Sequence, residues 1–130
     1  MAHGCAKIVR GPAHFVEILG ALGVPAPEFM GWATIVVELV GGLAALMGAF
    51  VSLASIPTSM VLLVAMFTVH LPYGFSSIKL QALTLSGPQF GPPGYELDLL
   101  YLASLATLVL GGSGPMAVDG VLTRRRQDKQ

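Results

Sequence analysis

Apolar positions fall into three runs, with glycine, proline and charge collected between them. From Trp32 to Val51 the sequence WATIVVELVGGLAALMGAFV carries a single charge, Glu38, in 20 residues. At about 1.5 Å per residue a helix of that length covers about 30 Å, the thickness of a bilayer core. From Leu53 to Leu71 the run LASIPTSMVLLVAMFTVHL has no formal charge and one histidine. Pro57 is expected near the first turn of that helix, where its missing N–H costs little. The third run, Leu97–Leu110, is shorter and contains Asp98. It spans only if Gly94–Glu96 and Gly111–Gly112 lie in the interface.

The segments between the runs read as connections. An amphipathic stretch, Phe15–Leu22, is separated from the first span by Pro25-Ala26-Pro27. Residues 73–93 collect glycine, proline, serine and glutamine and read as a long loop at the membrane face. Gly111-Gly112-Ser113-Gly114-Pro115 closes the last span. Nothing repeats internally, and the N-terminus lacks the charged, apolar and small-residue series of a signal peptide. The expectation is an all-α integral membrane bundle, one domain over 1–130, with three full transmembrane helices and a basic tail over 120–130.

Composition sharpens this. The 130 residues are 54% hydrophobic and 11% charged, against about 25% charged in a typical soluble domain. Net charge is zero, so no basic field suggests nucleic acid, and the expected partner is the lipid bilayer. A single cysteine, Cys5, excludes an internal disulfide, a CxxC pair and a zinc cluster, and leaves open whether Cys5 itself reacts. Arg124-Arg125-Arg126 and Lys129 follow the last span closely. The positive-inside rule places them in the cytoplasm, with the 73–93 loop and the N-terminal segment outside and the turn near Ser52–Pro57 inside.

Candidate chemistry gathers in the outer half of the spans. Glu38 sits roughly 9 Å below the outer interface, where an ionised carboxylate costs several kcal/mol unless paired or hydrated. Such a residue reads as a functional group facing the bundle interior; the plainer role is a hydrogen bond to a neighbouring helix. Thr34 and Gly42 share its face and leave room for a close partner helix. Gly41, Ala45 and Ala49 form a small-residue ridge suited to packing. His70, near the outer end of the second span, is expected at the same depth and suits a proton relay. Glu96 and Asp98 open the third run from that side, beside Tyr95, and acidic residues there also simply favour the helix dipole. The expectation is a proton-handling polar pocket of Glu38, His70 and Glu96, with His3, Lys7 and Tyr95 as ligand-binding candidates and Lys79 as a further countercharge. The histidines and carboxylates lack the spacing of a metal site, and no haem or phosphate motif occurs.

Taken together, His3-Gly4-x-x-Lys7, Gly20-x-x-Gly23-Val24-Pro25-x-Pro27, Glu38-x-x-Gly41-Gly42 with Gly48, then His70, Gly94-Tyr95-Glu96 and Gly112-x-Gly114-Pro115-x-x-x-Asp119 resemble the DoxX family of small membrane proteins. The resemblance runs in order along nearly the whole chain. It implies a four-helix protein of the cytoplasmic membrane, related to DoxD-type subunits of thiosulfate–quinone oxidoreductase and tied to redox or thiol metabolism. In that pattern the His-Gly-x-x-Lys series closes a first transmembrane helix. Here Met1 stands two residues before His3, so the expectation is a DoxX-like bundle truncated at its N-terminus. The function expected is a redox-associated subunit linked to a quinone or a thiol, with no cofactor evident in the chain and a partner redox protein or further copies of itself. Non-enzymatic scaffolding, or small proton-coupled transport, are the alternatives.

Overall fold

A computed structural model describes residues 1–112, 114 and 117–121. The chain divides into two compact units, Met1–Thr58 with the segment from Thr107 onward, and Ser59–Ala106. The first unit opens with two short helices, α1 (Ala2–Arg10) and α2 (Pro12–Ala21). α1 was not expected from the sequence. Lys7 and Arg10 occupy its last turn, where cations oppose the helix dipole, and Gly11 ends it at a φ of 96°. Pro12 then opens α2, at a position whose N–H has no intrahelical partner in any helix.

α3 (Pro27–Met47) is the first long apolar helix. It starts five residues before the expected Trp32, because Pro27 begins the helix and Glu28 sits favourably in its first turn. Gly48 ends it in the left-handed conformation, at φ 62°. α1 lies against α3 through Gly4, its one buried residue. A Cβ on Gly4 would stand 3.0 Å from Leu39 Cγ and 3.3 Å from Glu38 Cβ, so a larger residue would push the helices apart beside Glu38. On another face of α3, Gly41 meets Thr58, whose hydroxyl donates to the Ala54 carbonyl at 2.8 Å.

The reversal after α3 is tighter than the sequence suggested, since α4 (Val51–Ala65) begins only three residues after Gly48 begins the turn. Asp119 closes it. Its carboxylate accepts the N–H groups of Phe50 at 2.9 Å and Val51 at 3.3 Å, while its own N–H donates to the Gly48 carbonyl at 3.1 Å. An early start also moves Pro57 from the first turn into the body of α4, where the Leu53 carbonyl loses its usual donor. The helical path continues through a π-helical turn, Met66–His70, and a 3₁₀ turn, Leu71–Tyr73.

Beyond Tyr73 the second unit departs from the expected loop and from a purely helical fold. β1 (Leu80–Thr84) and β2 (Gly87–Phe90) form an antiparallel hairpin within 73–93. Its neck is tied by backbone bonds from Gly94 to Ser76, Tyr95 to Gly74 and Glu96 to Phe75. A Cβ on Gly94 would run into the carbonyls of Gly74, Phe75 and Ser76, so the neck closes only on glycine. α5 (Glu96–Gly111) follows, with Asp98 buried in its first turn.

Among the described residues two helices, Pro27–Met47 and Val51–Tyr73, are long and apolar enough to cross a membrane. Only 22% and 17% of their apolar windows are buried within the chain. The core helix of a soluble protein would be mostly covered; these leave Phe29, Val40, Leu46, Leu53, Met60 and Phe67 open. Residues 122–130, which hold the basic cluster of the expected tail, lie outside the described residues.

Candidate functional site

The polar side chains singled out in the sequence fall into two sets, one in each unit. In the first, the Lys7 ammonium on α1 donates to Glu38 Oε1 on α3 at 2.5 Å. The geometry follows from the helices: Gly4 lets α1 approach the Glu38 face, and Lys7, three residues on, lies one turn further along the same side. The ammonium also sits 4.2 Å from the centre of the Phe15 ring, supplied by α2. A ring face stabilises a cation without taking its hydrogen-bond donors. The side chains of Lys7 and Glu38 are 21% and 18% exposed. Glu38 Oε2 is fully buried and has no hydrogen-bond partner among the described residues. A carboxylate oxygen in that position normally accepts a bond, so Oε2 is the most conspicuous unmet polar group described.

The second set lies where α4 ends and α5 begins. His70 closes the π-helical turn, and its Nδ1 lies 2.6 Å from Asp98 Oδ2. Single π turns in long helices shift the side chains that follow them and recur at functional sites. With Asp98 ionised, Nδ1 donates and Nε2 carries the lone pair, the arrangement of a base oriented by a carboxylate. Asp98 is the more enclosed partner, at 6% exposure against 26% for the ring. Glu96 does something different: its Oε2 accepts the Ser77 N–H at 3.0 Å, holding the hairpin neck. Tyr95 stacks edge-on against Phe75, with ring centres 5.5 Å apart at 81°.

His70 therefore has Asp98 as its carboxylate partner, and Glu38 has Lys7. Lys7 was anticipated as a possible countercharge to the acidic residues; the His70–Asp98 pairing was not anticipated, although both residues had been placed at the outer ends of their runs. His3 is exposed on α1 and its side chain makes no hydrogen bond among the described residues, and Lys79 makes no ion pair among them. Cys5 is exposed. Among the described residues no three His, Cys, Asp or Glu side chains come together in a way that would hold a metal ion. An open hollow at the start of α2 and α3 is lined by Val16, Glu17, Glu28 and Trp32, none of them candidates from the sequence. Asp119 is the structural residue that sequence reasoning missed. It stood in the quoted pattern, but the turn it closes was expected at Ser52–Pro57.

A family model described as DoxX matches residues 1–71, which include Lys7, Glu38 and His70. No curated protein and no solved structure matches the chain.

Proposed function

This chain belongs to the DoxX family, and we propose that it serves as a redox-associated subunit of the cytoplasmic membrane, linked to a quinone or a thiol system. The observation that carries this reading is Glu38: a carboxylate inside an apolar helix, one oxygen held by Lys7 and the other buried without a partner among the described residues. Oε2 offers a place for a proton, or for a hydroxyl on a ligand, in surroundings where either exchange is felt strongly. A quinone head group fits this chemistry, since a protonated Glu38 would donate to its oxygen and the Lys7 ammonium would balance charge nearby. When bound, a quinone would supply a two-electron carrier. His70, oriented by Asp98, is proposed to pass protons at its own position, and Glu96 to hold the adjoining neck.

The C-terminus is proposed to lie in the cytoplasm, on the strength of Arg124–Arg126 and the positive-inside rule. α5 is proposed as a third crossing. Its 16 residues reach about 24 Å at 1.5 Å each, and the flanking glycines would complete the span within the interface. The partner is proposed to be a cofactor-bearing redox protein or further copies of this chain.

Glu38→Gln in membranes that carry the chain tests the reading. Thiosulfate- or thiol-dependent reduction of a soluble quinone is expected to fall about 100-fold, with the protein present at its normal level. An unchanged rate removes Glu38 from the reaction. A second reading, a non-enzymatic scaffold, is favoured by the same ion pair in its other aspect, because Lys7–Glu38 also ties α1 to α3. On that reading the substitution lowers the amount of assembled protein and leaves the rate per molecule alone.

A further inference from the structure

We propose that the β1–β2 hairpin is a membrane-surface element that lies with one face in the headgroup–acyl boundary of the bilayer the Val51–Tyr73 helix enters. The register carries the argument. Leu83 pairs with Pro88 and Leu80 with Phe90, whereas Ala82 pairs with Gln89 and Thr84 with Gly87. Opposed residues share a face of a sheet, and residues two apart on one strand do too. Pro88 and Phe90 are therefore on one face, and they bring Leu83 and Leu80 with them. By plain alternation Leu80 would share the face of Ala82. The irregularity between Leu80 and Ala82 inserts Gln81 as an extra residue and reverses that. One face becomes Leu80, Leu83, Pro88 and Phe90, all apolar. The other becomes Ala82, Thr84, Gly87 and Gln89, small or polar.

Among the described residues nothing covers the apolar face. Every residue of β1 is exposed, Leu83 at 78%, and Leu85 projects fully from the turn. A two-stranded hairpin alone is marginal in water, and this one would also hold four apolar side chains in it. Its occupant follows from where it is attached. Six residues, 74–79, separate Tyr73 at the end of the membrane helix from Leu80, and the neck bonds of Gly94, Tyr95 and Glu96 fold the loop back on itself there. The hairpin thus starts at the level where apolar helix gives way to headgroups. From Leu80 to Tyr95 the sequence has no charged residue to hold it in water, while Lys79 stands at its base, where an ammonium meets lipid phosphate. Amphipathic elements of this kind bury their apolar face about 5–10 Å into the boundary. The inference is independent of the redox reading.

The test uses the full chain in phosphatidylcholine–phosphatidylglycerol vesicles, with Trp32→Phe as the background. Tryptophan is placed at Leu83 or Leu85 on the apolar side and at Ala82 on the other. The proposal expects blue-shifted emission at 83 and 85, quenching by lipids spin-labelled near the carbonyl region, and shielding from acrylamide; Ala82→Trp stays open to acrylamide. Equal acrylamide quenching at 82, 83 and 85 overturns it, because the hairpin then stands in water. Shielding at 83 and 85 without lipid quenching also overturns it, because a second copy or another protein is then the cover. Since a tryptophan can spoil a small hairpin, Leu83→Cys and Ala82→Cys in a Cys5→Ser background, each carrying a nitroxide, give a second measurement. Oxygen collisions are expected to dominate at 83 and nickel-chelate collisions at 82, and matching profiles refute the placement.

Discussion

Glu38 and Asp98 both hold a nitrogen base at close range, 2.5 Å for Lys7 and 2.6 Å for His70, yet the two pairs are built for different work. Lys7 and Glu38 come from two helices pressed together at a glycine, with an aromatic ring beside the cation and one carboxylate oxygen left without a donor. His70 and Asp98 come from a helix end and a helix start, with the carboxylate the more enclosed of the two. An ammonium has only donors, so in the first pair the carboxylate is the partner that keeps an acceptor to offer. An imidazole has a second nitrogen besides the one that faces the carboxylate, so in the second the ring has an atom to offer and Asp98 orients it. Similar distances hide opposite divisions of labour.

Removing the cation from the first pair gives the largest expected effect. Lys7→Met strands a carboxylate among apolar helices and is expected to cost about 3 kcal/mol, read as a shift in reversible unfolding of the detergent-solubilised chain. Adding Glu38→Gln is expected to recover most of it. A neutral Lys7→Met would put the pair with ordinary surface ion pairs and erase the contrast. Asp98→Ala is expected to cost about 2 kcal/mol. It should also change imidazole NMR spectra, with the neutral ring passing from one tautomer to a mixture of two; a single unchanged tautomer would show that something else orients the ring. Phe15→Leu sharpens the comparison most finely. It removes the ring face from Lys7 and leaves the ion pair, for an expected loss of about 1 kcal/mol with no change at His70.

Much of this architecture could be read before the fold was known, for reasons that differ from element to element. The body of α3 was evident because 20 residues with a single charge have few alternatives. Its start was not, since Pro25-Ala26-Pro27 reads as a linker although proline also opens helices. α1 was missed because His3, Gly4 and Lys7 interrupt its apolar positions; the basic residues near its end followed by Gly11 were the available signal. The hairpin escaped because its bulge breaks the two-residue alternation that marks a strand. For the polar groups, residue type and depth could be judged from the chain, but partners could not. Lys7 and Glu38 are 31 positions apart, His70 and Asp98 28. Which base meets which acid depends on how closely α1 approaches α3 and where the π turn leaves the imidazole.

The Asp119 clamp has a consequence for the order in which this protein is made. Its carboxylate serves an amide 69 positions earlier, so the α3–α4 reversal emerges from the ribosome long before the group that finishes it. During synthesis the first amides of α4 must make do with water or lipid headgroups. The helical pair is therefore provisional until Asp119 has been made, and a chain stopped short of that aspartate would carry both long helices with their joint unlocked.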